Sequence, residues 1–263
     1  MNTRSIPNSS SQMTLGTRLK VIVTTDVNGT ITGDNTFGEL VRRHGRFEQM
    51  QALMDRYTTG ACRFQDVLPE MQGLAEVVER PDLEAYAKEM PFYKGVAAVL
   101  GALIKSRDLD ATIALCTTGF AGLMALVNRY RFNSQLLVAA SPVLVERLRA
   151  EEKACLIRPI IAEQAKAQVL DELVGPDGAI EGTVFHVGDT LGDFYGIRRA
   201  AEIGGVGIAF RPNAALKGAV SRLPGDLCKR VAVIEFASGV PVDFARVGDV
   251  IRQTLWEAAG VQV

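Results

Sequence analysis

The sequence predicts an α/β fold in which a mostly parallel sheet is covered by helices on both faces, with a small all-helical segment inserted after the first strand. Three observations support this. From residue 112 onward, short runs rich in β-branched residues alternate with stretches of helical periodicity, the pattern of parallel βαβ units. Between residues 32 and 92 only the helical period is present. The apolar runs also stop abruptly on polar residues, at Asp26, Thr117 and Asp189, as strands do when they deliver side chains to the crevice beyond a sheet's C-terminal edge.

In chain order, Val21–Thr25 reads as the first strand, ending on Asp26 and followed by a tight Gly29-Thr30 turn. Phe47, Met50, Met54 and Tyr57, then Phe64, Val67, Leu68 and Met71, repeat at helical spacing and define the insert. Pro91-Phe92-Tyr93 punctuates the chain. Val96, Val99, Leu100, Leu103 and Ile104 mark an amphipathic helix leading to a strand at Thr112–Cys116. Further strands are expected at Leu136–Ala140, Val184–Val187, Val206–Phe210 and Val231–Phe236, with helices near 119–131, 162–174, 191–202 and 244–257. The section from Ser141 to Pro159 fits neither period and is left unassigned. No internal repeat is visible.

The 263 residues carry a net charge of −1 with both signs interspersed, so there is no electrostatic footprint for nucleic acid or an anionic membrane. Four cysteines without metal-ligand spacing and only two histidines make a zinc site improbable, and they fit reduced thiols in a cytoplasmic setting. Residues 1–19 are polar and read as a disordered tail rather than a secretion signal. No stretch approaches a membrane span. Homodimerisation is left open.

Four polar features punctuate the core. Asp26 is a candidate nucleophile presented at a strand end, although an Asp heading a turn is more often a turn former. Thr117-Thr118-Gly119 offers hydroxyls and a helix start suited to a phosphate oxygen, with helix capping by Thr118 the alternative. Lys166 stands near the start of an amphipathic helix, the unfavourable end for a cation, which calls for an anion to bind. Asp189 and Asp193, four residues apart after an apolar strand, would share a face of a helical turn, and their repulsion calls for a hard cation such as Mg²⁺. The alternative has Asp189 capping the helix and Asp193 facing solvent. His186 is expected to pack against a neighbouring helix without a chemical role. A carboxylate nucleophile, a hydroxyl, a lysine and paired metal-binding carboxylates together are what phosphoryl transfer through an aspartyl phosphate requires, because an anion attacks a phosphate only when cations screen both.

On these residues the chain resembles the haloacid dehalogenase superfamily, in the layout of its phosphoserine phosphatase branch. The DxDGT motif of that superfamily is approximated by Asp26-Val27-Asn28-Gly29-Thr30, its hydroxyl motif by Ile113–Thr117, its lysine by Lys166 and its GDxxxD motif by Gly188–Asp193. Gly207–Phe210 and Asn213 resemble the stretch that follows. The resemblance implies a Rossmann-like three-layer core (residues 20–31 and 93–263) and a helical cap (residues 32–92). It further implies Mg²⁺ held by Asp26, the Asn28 carbonyl and Asp189, with Asp193 supporting the metal and the lysine. Gly29, Thr30, Thr117, Thr118 and Lys166 would hold the phosphate of a small phosphorylated metabolite.

Two departures from the motifs stand out. The family's second acid, which protonates the leaving oxygen and then activates water, is Asn28 here, and an amide can do neither. The positions matching the cap residues that hold phosphoserine in that branch are Asn35 and Met71, uncharged both, with Phe64 retained; packing within the cap is the competing role for Phe64 and Met71. The expected activity is therefore Mg²⁺-dependent phosphomonoester hydrolysis with a weakened acid. The alternatives are a catalytically impaired phosphate-binding or regulatory protein, a phosphotransferase, and an acyl-phosphate hydrolase. Metal-independent dehalogenation is disfavoured by the retained acidic pair.

Overall fold

The computed structural model describes residues 18–259 apart from 34, 60, 177, 179 and 180. The polar tail expected over residues 1–19 thus lies outside the described residues up to residue 17. Arg18 already bonds to the Ser106 carbonyl, and Leu19 opens the first strand.

The chain runs β1 (Leu19–Thr25), α1 (Thr36–Arg42), α2 (Phe47–Thr58), α3 (Phe64–Ala75), α4 (Arg80–Glu89), α5 (Val96–Lys105), β2 (Leu109–Phe120), α6 (Ala121–Phe132) and β3 (Leu137–Ser141). It continues through α7 (Ala150–Lys153), β4 (Leu156–Pro159), α8 (Ala165–Val174), β5 (Val184–Gly188), α9 (Phe194–Glu202) and β6 (Val206–Phe210), and ends with α10 (Ala214–Val220), α11 (Gly225–Cys228), β7 (Val231–Ile234) and α12 (Ala245–Ala259). Among the described residues seven strands form one sheet, all parallel, in the order β4-β3-β2-β1-β5-β6-β7. Successive strands build outward from β1 to β4, and the chain then returns to the other side of β1. The reversal falls between β1 and β5, and crevices open at such switch points.

Strand alternation sorts the core into two layers. Val21, Val23, Phe185, Val187, Ile208 and Phe210 join the large apolar cluster that also takes in residues of α5, α6 and α12. Ile22 and Val184 pack instead with Leu170 and Val174 of α8 and Ala200 of α9. Both faces of β1 and β5 are therefore sealed, which is why these strands read as continuous apolar runs. No helix among the described residues is long and apolar enough to cross a membrane.

Two sequence expectations change. The unassigned section holds a 3₁₀ turn (Val145–Arg147), α7 and the edge strand β4, which is only four residues long and contains Arg158 and Pro159. A proline is tolerated at an edge because its missing N–H faces no partner. The second correction concerns Gly119, which does not open a helix. β2 runs on through Phe120, with the Thr117 hydroxyl accepting from the Gly119 N–H (3.1 Å), a register shift after Cys116, and Phe120 pairing with Ser141. The Phe120 ring sits edge-on to Phe37 of α1, 5.0 Å between centroids, and the helix starts only at Ala121 without a side-chain cap. Thr118 is thus neither a cap nor at a helix N-terminus.

Candidate active site

β1 pairs with β2 on one side and β5 on the other, and the register sets Thr25 opposite Leu115 and Val187. The Asp26 N–H still bonds to the Val187 carbonyl (2.8 Å), so the last ladder bond fixes the nucleophile candidate at the strand end. The polar clusters that end β2 and β5 converge beside it.

Lys166, in the first turn of α8, is buried and reaches both Asp26 Oδ1 (2.9 Å) and Asp193 Oδ1 (2.5 Å) through Nζ. The other oxygen of Asp193 accepts from the backbone N–H groups of Asp189 (3.1 Å) and Thr190 (3.0 Å) and from the Thr190 hydroxyl (3.1 Å). Asp193 is fully buried at the end of a 3₁₀ turn (Leu191–Asp193), so it is the capping residue of the loop and does not face solvent. With both oxygens engaged, it orients the lysine and the Asp189 backbone. The Asp189 carboxylate accepts from the Thr30 hydroxyl (2.9 Å) and lies against Gly29. Gly29 has φ +80°, and a Cβ there would stand 2.1 Å from Asp189 Oδ2. Both the left-handed turn and the close approach require glycine.

Asp26, Asp189 and Asp193 each bring a carboxylate oxygen within 4.8 Å of the others, against the single ammonium of Lys166. Burial, reinforced by the Asp193 charge, raises Asp26 to about 6 even though Lys166 pulls the other way. Burial and the charges of Asp193 and Asp26 raise Asp189 to about 8. Burial opposes ionisation of Asp193 as well, but Lys166 and then His186 outweigh it and hold that carboxyl below its ordinary range. Lys166 stays charged: burial disfavours the ammonium, and the two aspartates more than offset this. The cluster is short of positive charge. Its clustered hard oxygen donors, with Asp189 raised, suit a divalent cation of the Mg²⁺ type.

No protein-family model matches the sequence, and no curated protein matches it. Solved structures do match. A phosphoserine phosphatase described as a phospho-aspartyl intermediate analogue superposes with a TM-score of 0.62 at 19% identity, covering 88% of this chain and 98% of that one. A substrate-bound phosphoserine phosphatase gives 0.63 at 18% identity, with the same coverage. A HAD family hydrolase from Salmonella enterica serovar Typhi gives 0.58 at 18% identity, covering 75% of this chain and 64% of that one. The chain has the haloacid dehalogenase-type fold.

Within that fold, the residues singled out from the sequence are distributed unevenly. Asp26, Lys166, Asp189 and Asp193 are brought together, and Thr117 lies near enough to Asp26 to act against the rise in its pKa. Asp26 is only 6% exposed, so it lies under cover and not, as expected, out of the core. The Thr30 hydroxyl is committed to Asp189. Asn28 Oδ1 accepts from the Thr36 N–H at the start of α1 (3.3 Å), which ties the turn to the insert.

The residues matched to substrate-holding positions make structural contacts. Asn35 caps α1, its Oδ1 accepting from the Gly38 N–H (3.3 Å), and its amide donates to Gln51 (3.2 Å). Phe64 and Met71 are fully buried in the apolar core. Helical amphipathicity gave these two away, because both fall on the apolar stripe of α3. His186 packs its ring against Gly196 of α9, bonds through Nδ1 to Thr24 Oγ1 (2.7 Å), and sets Nε2 3.8 Å from Asp193 Oδ1. That second contact, from a strand position read as packing alone, was not visible in the sequence. Cys116 lies beside Thr117, and burial pushes its thiol up to about 12, which leaves it no thiolate for chemistry.

Proposed function

We propose that the protein is a Mg²⁺-dependent phosphatase that hydrolyses a small phosphorylated metabolite through an aspartyl phosphate on Asp26. In this reading residues 32–92 act as a cap over a core made of 20–31 and 93–263. The observation that carries the proposal is the shared lysine: Nζ of Lys166 bonds to Asp26 and Asp193 at once, deep under cover at the switch point of the sheet. A structural salt bridge does not need three carboxylates around one ammonium. A site that binds a cation and a phosphate does, since the phosphate can replace one Lys166 contact while the metal takes up the excess negative charge. Asp26, the Asn28 carbonyl and Asp189 would hold the ion, which polarises the phosphoryl group when bound. Asp193 would keep Lys166 and the Asp189 backbone in place. Lys166, Thr117 and Thr118 would hold the phosphate oxygens, and Gly29 would leave the room they need.

Asn28 sets the expected rate. General acid–base groups contribute about 10²–10⁴-fold, so alkyl phosphates should turn over slowly and leaving groups that need no proton, such as acyl phosphates, faster. A generic phosphatase assay with Mg²⁺ separates the enzyme from a phosphate-binding or regulatory protein. Turnover by the wild type that vanishes in Asp26→Asn, and rises in Asn28→Asp, supports hydrolysis. Wild-type turnover equal to that of Asp26→Asn contradicts it.

A further inference from the structure

In the phosphatase reading Asn28 cannot deliver a proton to the leaving oxygen, and a phenol stands beside the acidic loop. Tyr57, near the end of α2, lays its ring edge-on to Phe64, 5.6 Å between centroids. Its hydroxyl points at the backbone of Gly192, where a Cβ would stand 2.9 Å from Oη, 3.5 Å from Thr190 Oγ1 and 3.6 Å from Glu163 Cγ. Gly192 immediately precedes Asp193, so the phenol of the insert meets the core at the acidic loop itself. We infer that Tyr57 is the proton donor to the leaving oxygen, replacing the acid lost at position 28; this rests on the phosphatase reading above.

The neighbouring groups are otherwise engaged. The Asn28 amide binds the Thr36 N–H, the Thr190 hydroxyl donates to Asp193, and the Glu163 carboxylate accepts from the Phe64 N–H (3.4 Å). His186 stands behind Asp193 against α9. Among the described residues, no acceptor takes the Tyr57 proton. Burial, then the Glu163 charge, raises its pKa, and the charges of Lys166, Asp193 and Asp26 also act on it, as expected of a group within electrostatic reach of the nucleophile. A raised pKa keeps the phenol protonated. It does not prevent transfer, because an alkoxide is a stronger base than a phenolate.

In this scheme an Asp26 oxygen bonds to phosphorus while the bond to the ester oxygen breaks. The electron pair stays on that oxygen, which takes the Tyr57 proton and departs as an alcohol. The phenolate then removes a proton from the water whose oxygen attacks phosphorus. The bond from phosphorus to Asp26 breaks to restore the carboxylate, and inorganic phosphate is released.

The test is the dependence of kcat/KM on the leaving group, because kcat/KM reports only the steps up to its departure. Tyr57→Phe keeps the ring that packs on Phe64, so its thermal midpoint should match wild type. For an alkyl phosphate such as glycerol phosphate, kcat/KM should fall about 10²–10⁴-fold, and for p-nitrophenyl phosphate far less. Adding Asn28→Asp to Tyr57→Phe should restore hydrolysis of the alkyl ester. An equal fall for both substrates, or none, overturns the assignment of Tyr57. Activity absent from the wild type, Asn28→Asp and Tyr57→Phe alike overturns the phosphatase reading and this inference with it.

Discussion

Two buried acidic clusters in this protein are built to opposite charge balances. Around Glu152 of α7, the guanidinium groups of Arg80 (2.8 Å) and Arg129 converge on a side chain that is 1% exposed, and the Arg149 N–H adds a third donor. Hydrogen bonds from Arg80, outweighing the opposing cost of burial, lower that carboxyl to about 2. Around Lys166 the ratio is reversed, with three carboxylates to one ammonium and two of them raised to about 6 and about 8. The first cluster is complete as it stands, and it joins α4 to the α6–α7 side of the sheet. The second carries more negative than positive charge, and in the proposed reading a cation and a phosphate complete it. Surplus charge compensation marks a fastener and deficient compensation marks a site, and burial alone does not distinguish them.

The largest expected difference between the clusters is in activity. Asp26→Asn should take phosphatase turnover to background, and because it removes part of the surplus negative charge it should raise the stability of the metal-free protein at pH 8. Glu152→Gln should do the reverse. It should leave turnover in place and lower unfolding free energy in urea by about 2–3 kcal/mol, less than the loss from a fully buried pair because Arg80 and Arg129 stay partly exposed. The acid limb should disappear with it. Glu152 has a folded pKa below its ordinary 4.5, so its stabilisation is present above pH 4.5 and lost as pH falls toward about 2. If Glu152→Gln abolishes turnover while sparing stability, the contrast between fastener and site fails.

A smaller effect concerns the metal. Asp26 and Asp189 have folded values above their ordinary 3.8, so the stability gained by keeping them neutral is present below that pH and lost as pH rises through about 6 and then about 8. Mg²⁺ binds the ionised forms. It should therefore raise the thermal midpoint more at pH 8 than at pH 5, with a stabilisation at the higher pH approaching about 2.7 kcal/mol at about a hundredfold excess over Kd. An equal shift at both pH values, or one that survives in Asp189→Asn, would place the ion elsewhere.

Much of this contrast was legible in the sequence on one side only. Asp26, Lys166 and the Asp189–Asp193 pair were readable because each breaks a strong local pattern, namely an apolar strand ending on an acid, a cation at the wrong end of a helix, or like charges at helical spacing. Glu152 breaks none. It lies in a charged run between two prolines, and its arginines come from positions 80 and 129, so only the tertiary structure brings them together. β4 escaped for a related reason, as a four-residue edge strand carries too little alternation to show a period. The Phe120 strand end depends on ring packing against α1, and the Tyr57 contact with Gly192 on how the insert folds back over the core. Local patterns disclosed what each strand delivers, but not what the insert brings to meet it.

The central claim is that Asp26 forms a transient acyl phosphate. Crystals soaked with Mg²⁺ and beryllofluoride address it directly, since the fluoride adopts the place of a phosphoryl group on a carboxylate. The account predicts beryllium bonded to the Asp26 carboxylate, Lys166 turned toward the fluorides, and Mg²⁺ between Asp26 and Asp189. An Asp26 still paired with Lys166, with no adduct and no metal beside it, would contradict the account.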